Sequence, residues 1–423
     1  MIETSQNDQE KVLLVGAVYG NSSEEEISDQ LSELSLLTNT AGGEVVGIVT
    51  QKLSRINPAY FIGVGKAKQV ISQAKALRAG LIIFNDELSP GQIKNYLKQA
   101  GEIKIIDRNA LILDIFYHHA KTREAKTQVE LARLEYMLPR LSRQWTHLER
   151  QMGGIGTRAG AGETQIEVDR RLIRNRIAKL KQELGKIDKE RETQSTHRKD
   201  QFRVALVGYT NAGKSTLMNA LSNANVFVQD QLFATLDTTI RSVQLDESHN
   251  ILLSDTVGFV RKLPHHLVAT FRSTLKEVIE ADLILLILDA SSGLLEAQEQ
   301  TITEVLDELG AKDQRKIFVL NKIDLLINEN TLTSLKQQYP QAVMISAKQH
   351  LRLDQLIQRI RTVMDEDYHI IDIEIPYQQA RGLVRAQEGV KVLKREFKND
   401  HLLLRIKGPK IRINQILKQF HPG

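Results

Sequence analysis

Residues 208 to 215 read Gly208-Tyr209-Thr210-Asn211-Ala212-Gly213-Lys214-Ser215, the pattern G-x-x-x-x-G-K-[ST]. Glycines at both ends let a backbone curl with its N–H groups pointing inward, toward anionic oxygens. A helix that starts at the lysine adds partial positive charge at the same point. Lys214 has the reach for the β- and γ-phosphates of a nucleotide, and the Ser215 hydroxyl suits Mg²⁺. The flanks agree. Arg203 to Val207 is a run of strand formers, and Ser215 to Leu221 carries helix formers. The chemistry on offer is binding of a nucleoside triphosphate.

The base is legible further along. Asn321-Lys322-Ile323-Asp324 closes the apolar run Ile317 to Leu320. The Asp324 carboxylate can accept from guanine N1–H and the exocyclic amine together, and adenine offers no such pair of donors. Buried acceptors left unpaired are costly, so such a site rejects the wrong base by ~10⁴-fold. Ser346-Ala347-Lys348 follows another apolar run and is placed to offer a backbone N–H to guanine O6. Between them, Asp255-Thr256-Val257-Gly258 closes Ile251 to Leu253. Asp255 is expected to hold Mg²⁺ through water, and the Gly258 N–H to meet a γ-phosphate. Phe233-Ala234-Thr235-Leu236-Asp237 supplies a switch hydroxyl, Thr235, to join Ser215 on the metal. Four such elements in order, each at a strand end, point to a GTPase.

One catalytic part is missing. Many GTPases place a Gln after the glycine of the second switch to orient the attacking water. Phe259 stands there, with no donor or acceptor. Slow intrinsic hydrolysis is expected, and the catalytic group is not identifiable. Asn211, inside the phosphate loop, is a candidate ligand for a potassium ion that would offset developing charge. The alternative is an Asn that only shapes its turn.

The elements that must position these groups fall into four stretches of the 423 residues. Residues 1–120 alternate short β-branched runs (Lys11 to Val18, Glu44 to Thr50, Leu81 to Phe84, Ile103 to Ile106) with helical patterns, which predicts a parallel α/β domain. Its Phe61-Ile62-Gly63-Val64-Gly65-Lys66 lacks the second spaced glycine and the hydroxyl of a phosphate loop, and reads as a tight βα turn. Residues 121–200 carry two apolar series, Leu131 to Leu148 and Ile166 to Ile187, stepping by three and four. They predict an antiparallel helical hairpin with a tip from Gly153 to Gly162, the first helix kinked at Pro139. Residues 201–366 form the G domain, and residues 367–423 a small α+β domain.

Composition bounds the rest. The chain has no cysteine, which excludes disulfides, thiolate metal sites and thiol catalysis. No apolar run reaches the ~20 residues needed to span a bilayer, and the polar start lacks a signal core, so a cytoplasmic location is expected. The net charge is +5. Lys and Arg outnumber Asp and Glu in the hairpin by more than that, which leaves the remainder slightly acidic. Arg158, Arg170, Arg171, Arg174 and Arg176 cluster more densely than solubility needs and are candidates for RNA contact. The His118-His119 and His265-His266 pairs read as polar surface, with no carboxylate at zinc-site spacing.

The phosphate loop, the stretches 233–237, 255–259 and 321–324, the tip Gly153 to Gln165 and the turn Phe61 to Lys66 together resemble the HflX-type GTPases, relatives of the Obg/Era-like group. Residue 238 is a threonine where that family commonly has proline, a departure that loosens the first switch without touching Thr235. The resemblance covers about residues 10–365. It implies a cytoplasmic, Mg²⁺-dependent GTPase that binds the large ribosomal subunit and dissociates stalled or idle ribosomes, the hairpin tip reaching toward the peptidyl-transferase region. It also implies ATP binding by the N-terminal domain in some members. No DNA partner and a monomeric free state are expected. Two other readings stay open from the residues: a regulatory switch holding a protein through the coiled coil, and an ATP-dependent RNA remodeller.

Overall fold

The computed structural model describes residues 9–141, 165–195, 201–222, 233, 238–246, 249–261, 276–326, 328–376, 390–398, 401–409, 413–414 and 416–417. The chain divides into two compact units. One comprises residues 1–189 with 229–237 and 260–273, the other residues 190–228, 238–259 and 274–423.

In the first unit, β1 (Glu10–Val18), β2 (Gly43–Lys52), β3 (Leu81–Phe84) and β4 (Lys104–Asp107) form a parallel sheet in the order β2-β1-β3-β4. Both faces are covered, so β1 and β3 read as nearly unbroken apolar runs. On one face α2 (Val64–Ala76) and α3 (Pro90–Ala100) bury Val70, Ile71, Ile93 and Tyr96 against Leu13, Val15, Ile82 and Phe84. α1 (Glu24–Thr40) sits close to β1 because residue 16 is glycine; a Cβ there would come within 2.8 Å of Leu31. Local signals fix the helix starts. The Ser23 and Asp107 side chains accept from backbone N–H groups at the starts of α1 and α4 (Arg108–His119), and Ser89 with Gln92 forms a capping box before α3. Phe61 to Lys66 is the entry to α2, a turn closed by paired hydrogen bonds between Asn57 and Phe61.

The hairpin belongs to this same unit. α5 (Arg123–Met137) and α6 (Gln165–Ser195) pack through Leu131, Leu134, Ile173, Ile177, Leu180 and Leu184. Three ion pairs, Arg123–Glu183, Glu130–Arg176 and Glu135–Lys181, lace its surface. At Pro139, where a kink was expected, α5 reaches Met137 and passes into a single 3-10 turn, Leu138–Arg140, and the chain beyond residue 141 lies outside the described residues. The missing N–H and ring of proline stop the ladder there. Residues 142–164, including Trp145, Leu148 and the glycine tip, lie outside the described residues.

In the second unit, β5 (Phe202–Gly208), β6 (Thr239–Gln244), β7 (Asn250–Asp255), β8 (Leu283–Asp289), β9 (Lys316–Asn321) and β10 (Val343–Met344) are ordered β10-β9-β8-β5-β7-β6. All neighbours run parallel except β6 against β7. β8 is buried along nearly its whole length. The helix after β5, α7, spans Lys214–Ser222. The tail forms an antiparallel sheet, β11 (Tyr368–Pro376), β13 (His401–Pro409) and β12 (Lys391–Phe397). Ile413 and Ile416 cover it, and residues 377–389 lie outside the described residues. No helix among the described residues is long and apolar enough to cross a membrane.

Candidate functional site: the nucleotide-binding end of the G domain

Four loops leave the carboxyl ends of β5, β7, β9 and β10, and they converge. Two glycines allow it. A Cβ on Gly208 would come within 2.4 Å of the Ile287 carbonyl, and one on Gly213 within 2.2 Å of the Asn321 amide. Gly213 also holds φ +92°, and Asn211 φ +62°, a backbone region that asparagine tolerates better than most residues. The loop therefore folds tightly over the start of α7.

Lys214 is buried. Its ammonium donates to the carbonyls of Gly208 (3.1 Å) and Tyr209 (2.9 Å). Burial pushes its pKa down to about 8, partly opposed by the nearby Asp255 carboxylate. A phosphate arriving beside it favours the charged form and raises the pKa again, so the desolvated lysine favours an anion. The Ser215 hydroxyl donates to Asp255 Oδ2 at 2.6 Å. A hydroxyl and a carboxylate at hydrogen-bond distance are an all-oxygen donor set suited to Mg²⁺, with the other positions left to phosphate and water. The Thr256 hydroxyl donates to the Leu206 carbonyl at 2.7 Å and ties β7 to β5.

The second switch begins against the phosphate loop. The Phe259 N–H donates to the Gly208 carbonyl (3.1 Å), and the Thr210 N–H to the Phe259 carbonyl (2.8 Å). The Phe259 ring is buried. Gly258 fits only as glycine, since a Cβ there would lie 2.8 Å from Thr210 Cα and 3.0 Å from the Lys214 ammonium.

At the base-binding side, Asn321 has a role that spacing does not reveal. Its amide donates to the Ala212 carbonyl (2.9 Å), and its carbonyl accepts from the Ala347 N–H (2.9 Å). One buried side chain thus locks three loops together. Lys322 takes φ +65° and pairs with Asp289 at 2.8 Å. Asp289 was missed in the sequence, although it closes β8 as Asn321 closes β9 and is its register partner. Asp324 stands exposed in the short 3-10 turn Ile323–Leu325.

The first switch is only partly described. Phe233 is buried at φ +57°, its ring edge-on to Phe116 of α4 with centroids 4.6 Å apart. That side chain is therefore committed to packing rather than to a ligand. Ala234, Thr235, Leu236 and Asp237 lie outside the described residues. Of the candidate RNA-contact arginines, Arg158 also lies outside them. Arg176 is held bidentately by Glu130 (2.7 and 2.8 Å), and Arg170 donates to the Leu141 carbonyl. Arg171 and Arg174 lie on exposed positions of α6.

Comparison with known proteins places this geometry. Family models described as GTP-binding GTPase N-terminal, GTP-binding GTPase Middle Region and 50S ribosome-binding GTPase match residues 28–117, 119–198 and 203–322. GTPase HflX of Caldanaerobacter subterraneus is 44% identical over 398 residues, covering 94% of this chain and 90% of its own. The chain belongs to the HflX GTPase family. HflX of Flavobacterium psychrophilum is 51% identical, covering 77% of this chain and 78% of its own, and HflX of Escherichia coli 42%, covering 84% and 83%. Among solved structures, a GTP-binding protein of Sulfolobus solfataricus in complex with GDP matches at 24% identity and TM-score 0.43, over 84% of this chain and 98% of its own. The HflX assignment makes the chain a GTP-binding, GTP-hydrolysing P-loop protein.

Proposed function

We propose that this GTPase acts on the large ribosomal subunit, separating stalled or idle ribosomes, and that the helical hairpin is its RNA-contacting arm. The observation that carries the reading is the pair Arg171 and Arg174, exposed on the half of α6 nearest the glycine tip. RNA is bound largely through phosphate and shape, which requires exposed guanidinium groups on a rigid element. The G-domain match to a model described as 50S ribosome-binding GTPase supports the same partner. Ribosomal subunits are cytoplasmic, which agrees with the cysteine-free composition. The test is co-sedimentation with 50S subunits in a non-hydrolysable GTP analogue against GDP. Retention with the analogue and release with GDP are expected, and equal behaviour in both ends the proposal.

Lys214 and the loop N–H groups hold the phosphates; Ser215 and Thr235 ligate Mg²⁺, with Asp255 acting through water. Asp324 reads guanine. Two of the amides in Ser346-Ala347-Lys348 are already engaged, Ser346 with Leu351 and Ala347 with Asn321. The Lys348 N–H is therefore the donor assigned to guanine O6. Asn211, set at the outer turn of the loop by its positive φ, is assigned to a potassium ion. Hydrolysis faster in KCl than in NaCl at equal ionic strength, with the difference lost in Asn211→Ser, is the expected result. Equal rates in both salts remove the ion.

A further inference from the structure

Thr210 is 7% exposed, and its hydroxyl is buried with no hydrogen-bond partner among the described residues. A buried hydroxyl without a partner is a standing cost to the fold, and such groups in a native structure call for an explanation. Valine would fill the same space without that cost. The backbone does not explain the hydroxyl either, because the Thr210 N–H is already spent on the Phe259 carbonyl at 2.8 Å.

Position supplies the explanation. Thr210 lies against the two groups assigned to the terminal phosphate. A Cβ on Gly258 would meet Thr210 Cα and Cγ2 at 2.8 Å and the Lys214 ammonium at 3.0 Å. The methyl of Thr210 thus packs on the glycine whose N–H is assigned to the γ-phosphate. The Thr210 hydroxyl is a polar side-chain atom of the phosphate loop to which no other role has been assigned. Phe259, where many GTPases carry a glutamine, brings only carbon to this side.

We infer that the Thr210 hydroxyl is a donor to the terminal phosphoryl group of GTP, so that it contributes to telling GTP from GDP. This rests on the GTP site and not on the ribosomal proposal. Loop geometry alone would give a different outcome. A residue that only shapes the loop affects both nucleotides alike, whereas a γ-phosphate donor affects GTP and leaves GDP unchanged.

The experiment uses the full chain with Thr210→Val and Thr210→Ser, measuring GTP-analogue and GDP affinities by fluorescent-nucleotide titration and the unfolding midpoint without nucleotide. For Thr210→Val the ratio of GTP to GDP affinity is expected to fall about 10-fold, the scale of one buried hydrogen bond to a charged group. GDP affinity should hold, and the nucleotide-free midpoint should stay equal or rise, because an unpartnered hydroxyl has been removed. Thr210→Ser should keep the ratio within about threefold of the parent. An unchanged ratio in Thr210→Val overturns the inference, as does an equal loss of GTP and GDP. GDP binding by the parent protein in the same series checks the site itself, so a failure of the site is distinguishable from a failure of this residue.

Discussion

The two mainly parallel sheets of this molecule end in very different ways. At the carboxyl end of β5 the glycines are forced by contact: Gly208 and Gly213 each have a neighbour within 2.4 Å of where a Cβ would stand. At the turn into α2, Gly65 has nothing within 4 Å, and Gly63 meets only the end of the Gln51 side chain. The buried polar groups differ in the same sense. Around β3 and β4 most of them pair with one another, although the Nε groups of Arg108 and Arg140 are buried with no partner among the described residues. Arg108 pairs with Glu33 (2.8 Å) and Asn85, and Asp107 accepts from Tyr136 (2.8 Å) with Arg140 3.5 Å away. Burial pushes the Asp107 carboxyl up, against the Ala110 and Leu88 N–H groups and Arg140, which act to lower it. In the G domain, Lys214 and Ser215 bond groups that a phosphate and a metal can displace. Both sheets are mainly parallel α/β, but one end is an internally paired structural network and the other an exchangeable one. Fold alone does not make a site.

Substitutions can break this contrast. The largest effect is expected at the base. Asp324→Asn should cost up to ~10⁴-fold in preference for GTP over ATP, because an amide presents only one acceptor to two guanine donors. Competition binding reads it, and an unchanged preference removes Asp324 from the site. Next, Lys214→Ala should weaken GTP binding by about 100-fold or more through loss of charge-assisted hydrogen bonds. Lys66→Ala, at the other sheet, should leave GTP affinity within experimental error. Equal losses from the two would erase the distinction drawn between the two sheet ends.

Arg140→Ala tests the internally paired network. Removing one partner from a buried pair leaves Asp107 uncompensated, and about 3 kcal/mol of stability should be lost. Urea unfolding measures it, with GTP affinity in the folded protein unchanged. A stable variant with impaired nucleotide binding would mean the network serves the site. The smallest effect concerns the arm. Replacing Arg171 and Arg174 with Gln should lower the slope of log affinity for 50S subunits against log salt by about 1 to 2. An unchanged slope would leave those arginines outside the RNA interface. Arg176→Gln, already paired with Glu130, should lower it less.

Much of this was legible before any coordinates. Strand runs and the phosphate-loop spacing are local, so Leu81 to Phe84 and Gly208 to Ser215 declared themselves. Pro139 signalled a departure from the α-helical ladder, and a 3-10 turn stands there. Other features were invisible because they depend on residues far apart in the chain. Nothing near Asn321 announces that its amide will hold both Ala212 and Ala347, more than 100 and about 26 residues away. Arg176 looked like its neighbours until Glu130 was placed opposite it. Phe233 sat inside a switch motif, and only packing revealed Phe116 as its partner.

The division has a physical cause. Residue type and short-range spacing determined that this chain binds GTP, since a phosphate cradle and a guanine acceptor are built from contiguous residues at strand ends. The tertiary structure decided how each polar group is employed. A buried lysine or threonine hydroxyl is tied up or held ready for a ligand according to which acceptors the rest of the fold brings within about 3 Å, and that distance is set by packing across the whole sheet.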